Sequence, residues 1–279
     1  MTTTVPSRIA TRRRFLACPP TYFAVEYAIN PWMDPSRPVD TGAALRQWQM
    51  LRDTLLRLGH GVEELPPRPR LPDMVFAANG ASVVDGRVLV ARFRHPQRAP
   101  EAAAHQAWFR RAGYRPTIAE LPNEGQGDFL PVGDLVLAGS GLRTSPAAHR
   151  EAELALGRRI VSLQLVDPRF YHLDTALAVL SEDQIMYYPQ AFTPKSNRTL
   201  RTLFPRAVLA TDQDAAVLGL NAISDGRHVL LTEAAHGLAA QLHADGFVPV
   251  PVHLPELLKG GGGPKCCVLE LHPAPKEGA

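Results

Sequence analysis

The chain has 279 residues, 45% of them hydrophobic and 20% charged, with a formal net charge of +3. This composition is typical of a soluble globular protein, and the small, evenly spread charge argues against nucleic-acid binding. No stretch reaches the roughly 20 apolar residues of a membrane span.

The N-terminal segment TRRRFLA (11–17) has the adjacent arginines of a twin-arginine export signal. A signal peptide also needs an apolar region and a small-residue cleavage site. The residues that follow, CPPTYFAVEYAINPWMDP, contain prolines and acids that interrupt any such region. We therefore predict that RFLAC (14–18) is a first strand preceded by basic residues.

Strand and helix patterns alternate along the rest of the chain. The run ASVVDGRVLVARF (81–93) predicts a hairpin, and TALAVLSEDQIMYYP (175–189) predicts a second one. Further strands are predicted at 133–140, 228–232 and 266–271. Apolar residues spaced three to four apart predict four helices, at 41–60, 99–114, 145–157 and 233–246.

The order hairpin, helix, strand recurs along the chain with a spacing of roughly 40 to 55 residues. The repetition lies in the pattern rather than in residue identity, and it predicts about five related α/β modules. No linker-like tract separates two halves of the sequence. We therefore expect one catalytic domain over residues 1–279, with 272–279 as a frayed tail.

Near the C-terminus stands the run GGGGPKCCVLELH (260–272). It lacks the Ser or Thr of a phosphate-binding loop and leads into a strand rather than a helix. It also lacks the ligand spacing of a zinc site and the CxxC spacing of a redox pair. Two interpretations are left: a flexible turn before a buried strand, or a close backbone approach to a ligand beside a nucleophilic cysteine.

The three cysteines, Cys18, Cys266 and Cys267, are too few for a secreted disulfide framework, which favours a reducing cytoplasm. Successive side chains of a strand point to opposite faces. In a strand that begins at residue 266, Cys267 would share the more apolar face with Leu269 and Leu271. Cys266 is therefore the candidate nucleophile, and Cys267 is predicted to lie in the core.

A catalytic thiolate needs a base and a carboxylate that orients it. The loop PNEGQGDFL (122–130) carries Glu124 and Asp128, and RFYHLDTALAVL (169–180) carries His172 and Asp174. In an extended segment, residues two apart lie on the same face, which suits a base with a neighbouring carboxylate. Each stretch alone also fits a structural role, His172 as a core histidine and Glu124 as a solvated turn residue.

Taken together, these stretches resemble a known group of proteins. LPDMVFAAN (71–79), EGQGD (124–128), FYHLDT (170–175) and GGGGPKC (260–266) occur in the order and character seen in the guanidine-modifying enzymes of the pentein superfamily. That superfamily includes dimethylarginine dimethylaminohydrolases, arginine deiminases, arginine dihydrolases and amidinotransferases. The resemblance extends from Ala28 to Cys266 and implies an α/β fold, a five-bladed, pseudo-symmetric propeller of ββαβ modules with the active site on its axis.

The resemblance also implies catalytic roles. Cys266 resembles the nucleophile that attacks the guanidinium carbon, and His172 resembles the general acid and base. Glu124 would accept hydrogen bonds from the guanidinium, and Asp174 would help to fix the substrate or His172.

Four further residues are candidates for substrate binding. Arg143 resembles the residue that pairs with the substrate carboxylate, and Arg92 is a second candidate; for both, the alternative is a solvated surface position. Asp73 would bind the substrate α-amino group or cap a turn. Asn79 stands where dimethylarginine hydrolases and deiminases typically have a carboxylate. An amide also donates to the oxygen of a neutral ureido group, as in arginine dihydrolases; the alternative is a turn residue before Gly80.

These expectations describe a cytoplasmic thiol hydrolase that needs no metal and no cofactor. The first candidate reaction is that of a dimethylargininase, which converts Nω,Nω-dimethyl-L-arginine and water to L-citrulline and dimethylamine. Arginine dihydrolase, which gives ornithine, ammonia and carbon dioxide, is the second candidate, and an amidinotransferase is the third. A non-catalytic arginine-binding module is the alternative of another class.

The expected partner is a small molecule, arginine or a methylated arginine, rather than a nucleic acid or a membrane. The sequence does not define an oligomeric state. The proline-rich segment 29–38 is a candidate lid.

Overall fold

The computed structural model describes residues 8–272, in which fifteen strands form five sheets of three strands each. The strands are β1 Arg14–Ala17, β2 Gly61–Glu64, β3 Ala81–Val84, β4 Arg87–Val90, β5 Thr117–Ile118, β6 Phe129–Val132, β7 Leu135–Ser140, β8 Arg159–Gln164, β9 Leu177–Ser181, β10 Gln184–Tyr187, β11 Val208–Leu209, β12 Ile223–Ser224, β13 His228–Thr232, β14 Val248–Val252 and β15 Val268–Glu270. The α-helices are α1 Thr41–Arg57, α2 Glu101–Arg111, α3 Ala148–Leu156, α4 Leu173–Ala176, α5 Pro194–Leu203, α6 Asp212–Ala215, α7 His236–Ala244 and α8 Pro255–Leu258. Short 3-10 helices cover Pro72–Val75, Ala77–Gly80, Gly125–Gly127 and Pro189–Ala191.

All five sheets have the same ββαβ plan. An antiparallel hairpin is followed by a helix, and the helix leads to a third strand that pairs in parallel with the second strand of the hairpin. The plan repeats as β3-β4-α2-β5, β6-β7-α3-β8, β9-β10-α5-β11 and β12-β13-α7-β14. In the remaining sheet the last strand replaces the first: β15 pairs antiparallel with β1, which then pairs in parallel with β2 after α1. The predicted repetition of ββαβ modules is therefore confirmed.

The first strand of each module lies innermost, around a common axis. Strand β15 contacts β3, β6 contacts β9, and β9 contacts β12. These strands and neighbouring segments line a cavity of about 190 Å³, whose lining includes Leu130, Val179, Ile223, Lys265 and Glu270. Because the inner strands contact one another, the turns that enter them face a shared central region.

The helices form where the sequence provides an apolar stripe and a cap. Asp40 caps α1 by accepting from the Ala43 backbone N–H at 2.8 Å, and one face of that helix is buried against the sheet. Helix α3 ends at Gly157, whose φ of 66° lies in the left-handed region that glycine adopts at helix ends. The four predicted helices are confirmed, each a few residues shorter than expected.

One crossover helix was missed in the sequence. Helix α5, PKSNRTLRTL, is mostly polar, so its apolar spacing is weak. Its start is nevertheless marked by local chemistry, because Thr193 accepts from the Ser196 N–H and Pro194 occupies the first helical position. This cap would have predicted the helix better than hydrophobic periodicity.

The N-terminal arginines belong to a sheet. Strand β1 is central in its sheet, and Arg13 and Arg14 pair with Glu270 and Glu63. The prediction of a first strand is therefore confirmed. Within residues 8–272, no helix has the length and apolar character needed to cross a membrane. Of the tail predicted over 272–279, residues 273–279 lie outside the described part of the chain.

Candidate active site

Five short turns bring most of the predicted site residues to one end of the axis. Each turn directly precedes the innermost strand of one module, namely β3, β6, β9, β12 or β15. Because these strands lie side by side around the axis, the side chains on the turns meet in the centre. In chain order the turns contribute Asn79, Glu124, His172 with Asp174, Asn221, and Cys266.

Cys266 lies in a turn rather than in a strand. The strand predicted over 266–271 begins only at Val268, because the backbone N–H of Val268 donates to the Lys265 carbonyl at 3.2 Å and closes a turn there. The argument from strand alternation, which separated Cys266 from Cys267, was therefore wrong in its premise. Both side chains are buried, at 1% and 0% exposure.

The two cysteines differ in their polar contacts. The Cys266 thiol donates to Asp174 Oδ2 at 3.3 Å, and Asn221 Nδ2 lies 3.1 Å from the Cys266 sulfur. Cys267 packs in the hydrophobic core and makes no side-chain hydrogen bond within the described part of the chain. Of the two, Cys266 is therefore the one that faces the polar cluster.

Burial controls the protonation of this pair. It raises the pKa of the Cys266 thiol well above its ordinary value, and the Asp174 carboxylate raises that pKa further. Burial also raises the pKa of Asp174, to about 6, although Lys265 and the hydrogen bond from Cys266 oppose the shift. Without substrate the sulfur is therefore a protonated thiol.

His172 and Asp174 lie on a helical turn. Helix α4 begins at Leu173, so the premise that the two residues share one face of an extended segment was wrong. The turn forms because Thr175 Oγ1 and the Thr175 backbone N–H both donate to the His172 carbonyl, at 2.7 and 3.2 Å. The two side chains still enter the cluster: Asp174 contacts Cys266, and His172 contacts Glu124.

Glu124 links His172 to Arg143. His172 Nε2 lies 2.6 Å from Glu124 Oε2, and Arg143 Nη1 donates to the same oxygen at 2.9 Å. All three side chains are buried. Burial alone would raise the pKa of Glu124, but Arg143 and His172 outweigh it and hold that pKa well below its usual range. Glu124 is therefore an ionised carboxylate.

Asp128 and Gly127 fix the spacing between the turns. Asp128 Oδ1 accepts from the Leu173 backbone N–H at 3.0 Å, and Asp128 Oδ2 accepts from Thr144 Oγ1 at 2.7 Å. A Cβ atom on Gly127 would lie 2.4 Å from Asn79 Nδ2 and 3.1 Å from His172 Cγ. The glycine at this position therefore lets the Asn79 amide and the His172 ring approach the loop backbone.

The amide of Asn79 has a fixed orientation. Arg98 Nη1 lies 2.8 Å from Asn79 Oδ1. Arginine only donates hydrogen bonds, so the atom that faces it must be the amide oxygen. Glu101 holds Arg98 in place with two hydrogen bonds of 2.9 and 2.8 Å. The Asn79 NH2 group therefore points away from Arg98.

Asp73 lies beside this group. Its Oδ2 accepts from Tyr27 at 2.8 Å and is 3.9 Å from Arg98 Nε, and burial raises its pKa. Four buried polar atoms of the cluster have no hydrogen-bond partner among residues 8–272: Asp73 Oδ1, Asn79 Nδ2, His172 Nδ1 and Asp174 Oδ1. Buried polar atoms are normally paired, so a polar ligand suits this region.

The segment 29–38, the candidate lid, is attached to the cluster at several points. Arg143 Nη2 donates to the Ile29 carbonyl at 2.7 Å, and Asn30 Nδ2 donates to the Gly260 carbonyl at 3.1 Å. Trp32 Nε1 donates to the Arg169 carbonyl at 2.9 Å. The segment thus spans from the Arg143 side of the cluster to the glycine run.

Arg92 is the predicted residue whose side chain lies apart from the cluster, although its backbone pairs with Asn123, next to Glu124. It is exposed, and its Nη1 donates to the Glu120 carbonyl at 2.6 Å rather than to a residue of the cluster. Within residues 8–272, no group of three or more His, Cys, Asp or Glu side chains is arranged to hold a metal ion.

Comparison with known proteins identifies the family. A family model for arginine deiminase matches residues 60–222. The N(G),N(G)-dimethylarginine dimethylaminohydrolase of Mycobacterium tuberculosis is 55% identical over 269 residues, which cover 96% of this chain and 89% of that protein. The chain belongs to the arginine deiminase family. The predicted resemblance to guanidine-modifying enzymes is therefore confirmed.

The fold of this family member is similar to those of two solved enzyme structures. The N-terminal domain of ArgZ bound to its product, an arginine dihydrolase from cyanobacteria, has a TM-score of 0.90 at 34% identity, covering 94% of this chain and 98% of that one. Full-length ArgZ of Synechocystis is a bifunctional arginine dihydrolase/ornithine cyclodeaminase, and the matched part is 37% of its length. The dimethylarginine dimethylaminohydrolase of Pseudomonas aeruginosa has a TM-score of 0.80 at 19% identity, over 94% of this chain and 100% of that one. The predicted pentein fold is confirmed.

Sequence reasoning missed two buried residues of the cluster, Arg98 and Asn221. Arg98 follows a loop with several other arginines, and only the nearby Glu101 distinguishes it. Asn221 lies just before a short strand that begins one of the repeated modules. Asn79, Glu124 and Cys266 lie at the same position in their own modules. A comparison of the modules would therefore have identified Asn221.

Proposed function

We propose that this member of the arginine deiminase family hydrolyses Nω,Nω-dimethyl-L-arginine to L-citrulline and dimethylamine through a covalent intermediate on Cys266. The observation that carries the proposal is the buried Cys266–Asp174 contact beside the buried His172–Glu124 pair. The relative from Mycobacterium tuberculosis that bears the name of this activity supports it at 55% identity.

The cluster is suited to a planar cation that only donates hydrogen bonds. Glu124 and Asp174 supply carboxylate oxygens, and such oxygens pair well with the N–H groups of a guanidinium. The two carboxylates approach from neighbouring modules, so a guanidinium between them would place its carbon near the Cys266 sulfur. In this proposal Arg143 binds the substrate carboxylate and Asp73 the α-amino group.

In the first half of the reaction, the Cys266 thiol gives up its proton, and Asp174 Oδ2 at 3.3 Å is a neighbouring acceptor. The sulfur then forms a bond to the guanidinium carbon. The bond from that carbon to the dimethylamino nitrogen breaks while protonated His172 gives its proton to this nitrogen. Dimethylamine leaves, and the remaining carbon is bound to the sulfur as a thiouronium.

In the second half, the now neutral His172 accepts a proton from water, and the hydroxide adds to the same carbon. The carbon–sulfur bond breaks and the sulfur leaves as a thiolate. The hydroxyl proton of the product passes to solvent, so neutral citrulline is released, and the proton held by Asp174 returns to the sulfur. Glu124 accompanies His172 throughout, because its carboxylate stabilises the protonated imidazole at 2.6 Å. Each step leaves the atoms and charges balanced without a metal or a cofactor.

The setting that we propose is the cytoplasm. All three cysteines of the chain are free thiols, and the proposed nucleophile works only as a reduced sulfur. The proposed partner is the small-molecule substrate, arginine or a methylated arginine.

The direct test is mass spectrometry of the products formed from arginine and from asymmetric dimethylarginine. Citrulline with dimethylamine from the methylated substrate, lost in Cys266→Ser but kept in Cys267→Ser, would support the proposal. Turnover by Cys266→Ser equal to wild type would contradict the role of Cys266. No product from either substrate would favour an amidinotransferase or a binding module instead.

A second candidate, arginine dihydrolase, is favoured by the orientation of Asn79. Because Arg98 occupies the amide oxygen, Asn79 presents its NH2 group, which has no partner among residues 8–272. A guanidinium has no acceptor for this donor, whereas the oxygen of a ureido group does. Such a site would retain citrulline for a second hydrolysis to ornithine, ammonia and carbon dioxide.

The second candidate is tested by supplying citrulline itself. Ornithine formed from citrulline by the wild type, but not by Asn79→Asp, would assign the second hydrolysis to the amide. If the wild type leaves the supplied citrulline unchanged, dimethylargininase remains the proposed function. Asn79→Asp is the matched variant, because it keeps the size of the side chain and replaces only the NH2 group.

A further inference from the structure

In the module of β12, β13 and β14, Asn221 occupies the position that the other modules use for site residues. It ends the turn that precedes β12, and it is completely buried, at 0% exposure. The corresponding turns carry Asn79, Glu124, His172 and Cys266. The two candidate reactions together give a role to each of those four residues and none to Asn221.

The hydrogen bonds of Asn221 determine its orientation. Its Oδ1 accepts from two backbone N–H groups, those of Gly263 and Cys266, each at 3.0 Å. Because both partners are donors, this atom must be the oxygen. The NH2 group therefore faces the other way, where it donates to the Asp174 carbonyl at 3.1 Å and to the Cys266 sulfur at 3.1 Å.

The glycine run is shaped around this side chain. A Cβ atom on Gly263 would lie 3.0 Å from Asn221 Oδ1, and one on Gly262 would lie 2.3 Å from the Phe76 ring. Gly261 has a φ of 87°, which favours glycine. The run therefore lets the backbone of 261–263 pass between Asn221 and Phe76, which brings the Gly263 N–H, one of the two that orient the amide, to Asn221.

We propose that Asn221 is a catalytic residue that binds the Cys266 sulfur and stabilises its negative charge. This inference rests on the proposed function, in which the sulfur is a thiolate before it attacks and again when it leaves the intermediate. A donor held by two backbone N–H groups needs no rearrangement when that charge appears.

The effect of Asn221 on the pKa of Cys266 is opposite to that of the groups around the sulfur. The charged or titratable groups that face the sulfur are Asp174, Cys267, Tyr171 and Lys265. Burial, Asp174 and Cys267 all raise the pKa of Cys266, whereas the hydrogen bond from Asn221 lowers it. The Lys265 ammonium donates to Gln126 and to the Val268 carbonyl rather than to the sulfur. The donor that contacts the sulfur is the neutral amide of Asn221.

The test compares Asn221→Ala and Asn221→Asp with the wild type by two measurements. The first is the rate at which iodoacetamide alkylates Cys266 as a function of pH, followed by peptide mass spectrometry so that Cys18 and Cys267 are not counted. The second is kcat/KM for citrulline formation. Hydrogen bonds to charged groups are strong enough that we expect kcat/KM to fall about 10- to 100-fold in Asn221→Ala.

The alkylation profile should move to higher pH in both variants, and further in Asn221→Asp, because a carboxylate there repels the thiolate. Asn197→Asp is the matched control: its amide also donates to backbone carbonyls, such as that of Pro189 at 2.8 Å, but it contacts no residue of the cluster. The control variant should change the midpoint of thermal unfolding without moving the alkylation profile.

An alkylation profile that stays at the wild-type position in folded Asn221→Ala would overturn the inference and leave Asn221 a structural residue. If both substitutions prevent folding, Gly263→Ala tests the same contact, because its methyl group would press on the amide oxygen. An unmoved profile in that variant overturns the inference as well. Since alkylation needs no turnover, a wild type without product would refute the proposed function separately.

Discussion

A single methyl group at Gly127 is expected to remove most of the activity while the fold persists. The added Cβ atom would lie 2.4 Å from Asn79 Nδ2 and 3.1 Å from His172 Cγ. Favourable contacts lie at about 3.5–4.0 Å, so the amide must retreat by about 1 Å. A displacement of about 1 Å in an active site can cost about 100-fold in rate, or roughly 2.7 kcal/mol of transition-state stabilisation. We therefore expect kcat/KM of Gly127→Ala to fall about 100-fold.

The assay for Gly127→Ala combines steady-state citrulline release with urea denaturation. Overpacking of this kind costs about 1–3 kcal/mol of stability, so the variant should remain folded at low denaturant. Gly61→Ala is the control, because its Cβ atom would meet Arg14 Cγ at 3.4 Å, an ordinary contact away from the cluster. If folded Gly127→Ala keeps kcat/KM within about threefold of the wild type, Asn79 and His172 do not lie beside the reacting atoms.

Three further predictions concern charge and the candidate lid. Burial raises the pKa of Asp174 from 3.8 to about 6, so the folded chain binds this proton more tightly than the unfolded chain. The wild type should therefore lose up to about 3 kcal/mol relative to Asp174→Asn as the pH rises from about 4 to 6; a pH-independent difference in urea unfolding would contradict this. Arg98→Met leaves buried Glu101 without its partner and should cost about 3–5 kcal/mol in the same assay, partly regained by adding Glu101→Gln. Trp32→Ala removes the hydrogen bond to Arg169 and should raise KM with little change in the midpoint of thermal unfolding; an unchanged KM would argue against a lid.

The sequence predicted the modules because local patterns determine them. Helix α1 has both a capping aspartate and an apolar stripe, and the hairpin of β3 and β4 has a turn at Asp85 and Gly86, which both adopt positive φ. These features act over a few residues, so periodicity and turn chemistry are sufficient to find them. Helix α5 was not predicted because its apolar stripe is weak, although its N-terminal cap is clear.

The positions of the site residues depended on distant partners. Strand β15 begins at Val268 rather than at residue 266 partly because Asn221, 45 residues away, holds the backbone of Gly263 and Cys266. No local pattern contains that information. Likewise, Arg92 and Arg98 both lie in the arginine-rich stretch 92–98, and the buried carboxylate of Glu101 decides that Arg98 is the one that turns inward.

The pairing of β15 with β1 has a consequence for the order in which the protein becomes active. Phe15 pairs with Glu270, so the sheet that completes the ring joins segments about 255 residues apart, and closure of so long a loop is slow. Cys266 lies two residues before that final strand. During synthesis the ribosome therefore supplies the thiol and the closing strand together, after the other four modules. A chain released before residue 266 lacks the proposed nucleophile, so we expect incomplete molecules to be inactive towards guanidines.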